Sequence, residues 1–374
     1  MTEQMTSGGS KIDRIPLAVA LLLGCALLPI GLVLLPIVPE LGIPLLLVAT
    51  RLLGRRFAWA RRFNGWIDSK WRALRTRLAG DPATDRPALW RWIVGLLVIV
   101  VLWQLVGGVL SVLGIVATGV TLEEVFPPGG HGSTFLAPDR AATVLFVVLI
   151  AFPPLLFGTM LSYRWILKRP VAQLFTLTGR FSVRRTLVGF GVWLALGLIG
   201  LPIVEVLNPG VLTWSFDPSG AIPYLVVALV LIPIQTTGEE VLFRGWLLQW
   251  ADNGRRRRSL LALLNGVLFA LPHLANPEVQ GDDLIRLTGY VAVGAGLAWV
   301  TLRDRTLELA IGAHAANNLS AALVAGYVGS AIPTISLWML GRVPVEQELV
   351  LGLANVVAFA WITTRLPGGA AQRA

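Results

Sequence analysis

Long apolar runs recur from one end of this chain to the other, and they leave few folds open to it. The runs lie near residues 15–37, 41–54, 89–117, 141–163, 186–206, 221–250, 259–275, 284–302, 306–328 and 346–364. A helix rises about 1.5 Å per residue, so roughly twenty apolar residues cross a hydrocarbon core ~30 Å thick. Backbone polar groups in lipid must be satisfied within the segment, which turns such runs into helices. The expected fold is therefore all-α, a polytopic membrane helix bundle of about ten spans (eight to ten). Charge usage agrees: 14% of the 374 residues are charged, against about 25% in a soluble domain. Mean hydropathy is +0.72. The second run is too short for a straight crossing, and Pro36, Pro39 and Pro44 surround its start. A bent hairpin or a re-entrant segment is expected there.

Basic residues orient the bundle, because Lys and Arg accumulate on the cytoplasmic side. With a cytoplasmic N-terminus, 27 of the 31 basic residues fall on inner segments, with Arg140, Arg286 and Arg342 outside and Arg244 within a span. The outer loops are acidic instead, carrying Glu123, Glu124, Glu205, Asp217, Glu278, Asp282 and Asp283. The expectation is a multi-pass protein of the cell membrane with both termini cytoplasmic. Its net charge of +10 follows from that topology and from attraction to an anionic inner leaflet. Arg51 to Arg77 mixes basic residues with Trp59, Trp66 and Trp71, the pattern of an amphipathic helix lying at the interface. No aromatic platform or groove motif accompanies it, so a nucleic-acid partner is not expected.

The organisation reads as three parts. Residues 1–80 form a hydrophobic hairpin and basic arm, 81–206 form scaffold spans, and 207–374 hold the polar membrane residues and the last span. Asp81 to Pro87 is rich in turn residues and reads as a linker. No cleavable signal peptide is evident, since the first apolar run continues into a second. Cys25 is the only cysteine, which rules out an intrachain disulfide and a thiolate metal site. His131 stands alone in a Gly/Pro-rich outer loop and is read as solvated. No Gly-rich loop has the strand–turn–helix setting that nucleotide binding needs.

The chemistry concentrates in the last part. Glu239 and Glu240 sit side by side in an apolar run, followed by Arg244. A charged side chain at the bilayer centre costs about 2.5–3.5 kcal/mol even on lenient scales and is by default a functional candidate. Residues four apart share a helix face, so Arg244 can neutralise Glu240. Two adjacent carboxylates in low dielectric titrate as one coupled unit. With Glu240 held charged by Arg244, Glu239 is the candidate base. The next run carries Phe269 and His273, with Pro272 loosening the helix just before the histidine. A later run carries His314 and Asn318 on one face among Ala and Gly that permit close helix approach. Singly, each has a bland alternative: a helix-locking ion pair, a satisfied histidine, interhelical glue. Jointly, they point to one pocket.

Glu239-Glu240-Val-Leu-Phe-Arg244, Phe269-Ala-Leu-Pro-His273 and His314-Ala-Ala-Asn-Asn318 resemble, in order and approximate spacing, the EExxxR, FxxxH and HxxxN motifs of the CPBP (ABI) family of intramembrane proteases. That family includes CAAX-processing endopeptidases of the Rce type and bacteriocin-immunity-type proteins. The resemblance covers roughly 221–328 and has no counterpart in the N-terminal half. It implies a protease core in the C-terminal half that acts on a peptide or membrane-protein substrate. In that core Glu239 and His273 activate a water, His314 and Asn318 stabilise the oxyanion, and Arg244 orients Glu240. It also raises a zinc alternative, in which His273, His314 and Glu239 are the ligands. The HExxH helix of most zinc proteases is absent, and the reading favours glutamate-activated water without an obligatory metal. Glu239 lies about 16 Å from the inner end of its span at Trp250, so the site is expected to open to the cytoplasm. Two rival readings stay open, a transporter or proton relay and a non-catalytic immunity- or scaffold-type membrane protein.

Overall fold

The computed structural model describes residues 15–34, 39–79, 87–127, 130, 137–177, 180–252, 257–279 and 285–366. His131, most of the expected linker and both terminal segments lie outside these residues. The chain forms two compact units, Met1–Trp90 and Arg91–Ala374.

The first unit is built from α1 (Leu17–Leu34), α2 (Pro39–Leu53) and α3 (Ala58–Ala79). The hairpin of α1 on α2 is close because Gly24 faces Leu53 and Gly31 faces Leu46. The Asn64 side chain donates to the Thr50 carbonyl at 2.8 Å, and Arg51 pairs with Asp68, which ties α3 to α2. Trp59, Trp66 and Trp71 are exposed on α3, as an interfacial helix requires.

Apart from Leu89 and Trp90 at the start of the first, the second unit contains six helices long and apolar enough to cross a membrane, counted among the described residues. They are α4 (Leu89–Thr118), α5 (Pro138–Ile166), α6 (Val183–Leu207), α7 (Ala221–Ala251), α8 (Arg258–Ala275) and the final helix, Val345–Thr363. Between the last two lie α9 (Leu287–Asp304) and α10 (Glu308–Leu323), and the final helix is α11. The expected ten thus resolve into six by length and composition. The hairpin helices α1 and α2 are shorter apolar helices. The 16 residues of α10 reach only about 24 Å. The run read as 306–328 ends early because Ala325–Tyr327 leaves the helix as a strand.

That strand, β2, belongs to a small sheet with β1 (Leu212–Trp214) and β3 (Trp338–Leu340). Its order is β1-β3-β2. β3 pairs antiparallel with β1 in register Leu212↔Leu340 and parallel with β2 in register Ala325↔Trp338. The sheet pins the end of α10 to the segment that leads into α7.

Small residues set the helix spacing that matters for the site. A Cβ on Gly312 of α10 would run into the Thr186 carbonyl of α6, and one on Gly189 of α6 would run into the Leu309 carbonyl of α10. Each glycine lets the partner backbone approach where any side chain would hold it off. Gly312→Ala must push α10 away from α6 and displace His314, two residues on. Thermal unfolding of the detergent-solubilised variant should show a loss of about 1–3 kcal/mol, the usual cost of overpacking.

Elsewhere in the unit, a helical turn at Leu122–Val125 carries a capping box between Thr121 and Glu124. Arg140 bonds the Glu124 carboxylate through two nitrogens, at 2.9 and 3.0 Å. That ion pair, followed by the Thr121 backbone N–H, holds the Glu124 carboxyl at about 2. A lowered carboxylate adds stability that is complete above its unfolded value and fades as pH falls to its folded value. The stability gap between wild type and Glu124→Gln should therefore be constant above about pH 5 and shrink steadily toward about pH 2. A gap that is independent of pH would show that the ion pair contributes nothing.

Candidate active site

The site forms where α7, α8, α9 and α10 meet. The Ala221–Glu240 stretch of α7 is regular α-helix, and a π-helical segment follows at once over Val241–Leu247. Such bulges are rare and concentrate at functional positions. This one is embedded in apolar packing. Trp246 is fully buried and meets Trp92 edge-on at 4.8 Å, while Phe243 meets Phe269 edge-on at 5.3 Å. The Asn265 side chain donates to the Phe243 carbonyl at 2.7 Å, satisfying a backbone group beside the bulge.

Glu240 and Arg244 have no exposed side-chain surface, and they are joined at 2.9 Å through Nη1 and Oε1. The guanidinium does not fork onto the carboxylate. Its Nη2 donates instead to the Gly294 carbonyl of α9 at 3.2 Å. Its carbon lies 4.2 Å from the Phe269 ring centroid, a desolvated cation–π contact. Arg244 thus ties α7 to α9 and α8 while it neutralises Glu240.

His314 reaches the same carboxylate. Its Nδ1 donates to Glu240 Oε1 at 2.7 Å, and its Nε2 lies 3.5 Å from Glu239 Oε2. With Arg244 keeping Glu240 ionised, the proton of that bond belongs to Nδ1. His314 can then donate from Nε2 only as an imidazolium. Glu239 is 8% exposed. Its Oε1 accepts from Gln235 Nε2 at 2.8 Å, and Gln235 Oε1 accepts from Asn318 Nδ2 at 3.0 Å. Oε2 of Glu239 has no hydrogen-bond partner among the described residues. His273 stands on a 3₁₀ turn, Leu271–Ala275, where Pro272 was expected to loosen the helix. Its Nδ1 donates to the Phe269 carbonyl at 2.9 Å, which leaves the Nε2 lone pair available.

Five of the six candidate residues therefore share one buried polar network: Glu239, Glu240, Arg244, His314 and, through Gln235, Asn318. His273 approaches it through rings. Phe269 lies 4.8 Å from His273 and 5.6 Å from His314, centroid to centroid. The Asn318 amide nitrogen points at Gln235 rather than standing free beside His314, as the shared helix face had suggested. Among the described residues no three His, Cys, Asp or Glu side chains converge as a metal-ligand set. Of the three residues of the zinc alternative, His314 and Glu239 approach to 3.5 Å through Nε2 and Oε2, and each histidine uses Nδ1 for its hydrogen bond, to the Phe269 carbonyl and to Glu240.

Gln235 escaped the sequence reading, although its position four residues before Glu239 in the same apolar run was a usable signal. Glu278, read as an outer-loop acid, lies on a 3₁₀ turn after α8, is 7% exposed and accepts hydrogen bonds from Tyr290 at 2.6 Å and Tyr327 at 3.3 Å. Separately, a cavity of about 250 Å³ is lined by Arg244, Gln249, Arg258, Thr301 and Arg305, among others. None of Glu239, Glu240, His273 and His314 lines it.

Comparison with known proteins bears on this region directly. Residues 218–320 match the family described as Type II CAAX prenyl endopeptidase Rce1-like. A Bacillus subtilis (strain 168) relative, the uncharacterized protein YyaK, is 34% identical over 175 residues, which is 46% of this chain and 57% of the relative. The chain thus spans little more than half the length of that relative. No solved structure matches. The matched segment contains Glu239, Glu240, Arg244, His273, His314 and Asn318. Residues 218–320 are thus similar to an Rce1-like domain, in a chain whose described residues include six helices long and apolar enough to cross a membrane.

Proposed function

We propose that the protein is an intramembrane endopeptidase. The observation that carries this reading is the buried network itself: two carboxylates, an arginine and a histidine on α7 and α10, extended to Asn318, inside an Rce1-like domain. Glu239 Oε2 takes no hydrogen bond from the described residues, with His314 Nε2 3.5 Å away, and His273 has an unprotonated Nε2; one acceptor takes a water's proton and the other orients the water. The water oxygen attacks a peptide carbonyl carbon as its proton passes to Glu239. The developing oxyanion is met by His314 as an imidazolium, held over Glu240, and by Asn318 Nδ2 once it turns from Gln235. Collapse of the tetrahedral intermediate breaks the C–N bond. The proton held by Glu239 goes to the leaving amine, so the acid and base are restored. Arg244 takes no proton and fixes Glu240 beneath His314.

The Rce1-like domain supports a peptide substrate presented at the membrane, in the manner of CAAX processing. The Lys/Arg distribution supports a cell-membrane location with cytoplasmic termini and a site open to the cytoplasm. The test is a comparison of newly formed peptide termini in membranes holding matched amounts of wild type or Glu239→Gln. Termini found only with wild type are expected, and they would name the substrates. Identical termini with both proteins folded would discard the protease reading in favour of transport or a scaffold role.

A further inference from the structure

Beyond the motif residues, a second buried polar cluster lies against His273. The imidazole has one hydrogen bond through Nδ1, to Phe269. A single bond sets the tautomer but leaves the ring free to swing about it. What holds the ring is contact with its faces. Tyr290 of α9 lies 4.2 Å away, centroid to centroid, with its plane inclined by 32°, and Phe269 lies at 4.8 Å and 45°. Tyr290 is itself fixed at its far end. Its hydroxyl donates to Glu278 Oε1 at 2.6 Å and accepts from Asn276 Nδ2 at 3.1 Å. The same carboxylate oxygen takes hydrogen bonds from Asn276 at 3.2 Å and from Tyr327 of β2 at 3.3 Å. Three parts of the chain, the turn after α8, α9 and β2, therefore converge on one oxygen of a buried acid.

A buried carboxylate is costly unless its donors compensate it, and an apolar group of similar size would often serve stability as well. Glu278 therefore calls for a role beyond packing. We propose that Tyr290 is a positioning residue for His273 and that Glu278 is the anchor that fixes Tyr290. This rests on His273 belonging to the water-activating pair. Tyr290 touches no reacting atom. It holds the imidazole plane so that Nε2 stays aimed at the water shared with Glu239. Productive geometry has to be kept within a few tenths of an ångström, and groups behind the reacting residues supply that restraint.

The test uses the full chain in detergent with ¹⁵N-labelled histidine, since the sequence has only three histidines. Tyr290→Leu removes the ring, whereas Tyr290→Phe and Glu278→Gln keep it and loosen its anchor. The His273 ring resonances should move in Tyr290→Leu and broaden in the other two, while those of His314 stay in place. Turnover on a substrate found by the terminus comparison should fall about 10- to 100-fold in Tyr290→Leu, as kcat rather than KM. Tyr290→Phe and Glu278→Gln should each cost less, and the double variant should cost no more than the worse single. An unmoved His273 signal in folded Tyr290→Leu, or additive losses in the double variant, would overturn the proposal. The resonances report without any catalysis. A shifted His273 signal in Tyr290→Leu together with identical peptide termini from wild type and Glu239→Gln would therefore sink the protease reading and leave the positioning intact. Should Glu278→Gln fail to fold, Tyr290→Phe still decides.

Discussion

Glu239→Gln should lower kcat by about 10²- to 10⁴-fold, the usual contribution of a positioned general base, with KM little changed. The substitution is nearly isosteric. Gln235 Nε2, which donates to Glu239 Oε1 at 2.8 Å, can donate equally to the amide oxygen of a glutamine. The link through Gln235 to Asn318 therefore survives, and so should the fold. What disappears is an oxygen able to take a proton from water. A loss in kcat alone marks an interaction made in the transition state. Single-turnover kinetics on the purified protein, with unfolding measured alongside, checks both halves. Undiminished kcat would remove Glu239 as the base and shift attention to His273.

The largest loss of stability is expected at Arg244. Its guanidinium is fully buried and serves Glu240, the Gly294 carbonyl and the Phe269 face together. Arg244→Met keeps most of the volume and removes the charge, which strands an ionised carboxylate in the interior. Breaking a buried pair in this way costs about 3–5 kcal/mol. Glu240→Gln with Arg244→Met should recover much of that loss, because no buried charge is left uncompensated. It should not recover turnover, since His314 then has no anion beneath it. Arg244→Lys should rescue only partly, because a single ammonium cannot reproduce a planar fork that reaches Glu240 and Gly294 in different directions. Thermal unfolding of the variants in one detergent orders them. If Arg244→Met were as stable as wild type, Glu240 would have to be uncharged in the fold.

Local relations were the ones legible in advance. The Glu240–Arg244 pair could be read from a spacing of four, and the loosening of the chain at Pro272 from the proline itself. The link between Glu239 and Gln235 has the same spacing and was available to the same argument. Those relations hold because a single helix turn imposes them. The span count was harder to read, because hydropathy marks apolar runs without showing where a helix stops. β2 takes residues that continue the apolar run after α10, and only its pairing with β3 reveals this.

The sequence by itself determined that the chain is helical and membrane-embedded, and which residue types are the chemical candidates. Apolarity and periodicity are properties of consecutive residues and need no partner to be read. Tertiary structure alone decided that His314 bonds Glu240 from 74 positions away and that Asn318 reaches Gln235 across 83. It likewise decided that Glu278, on the turn after α8, is buried against Tyr290 and Tyr327. Those contacts depend on how closely helices pass, which Gly189 and Gly312 permit, and on the π-helical segment after Glu240. Neither a crossing distance nor a bulge is encoded in the spacing of residues along one helix, so each appears only once the helices are packed.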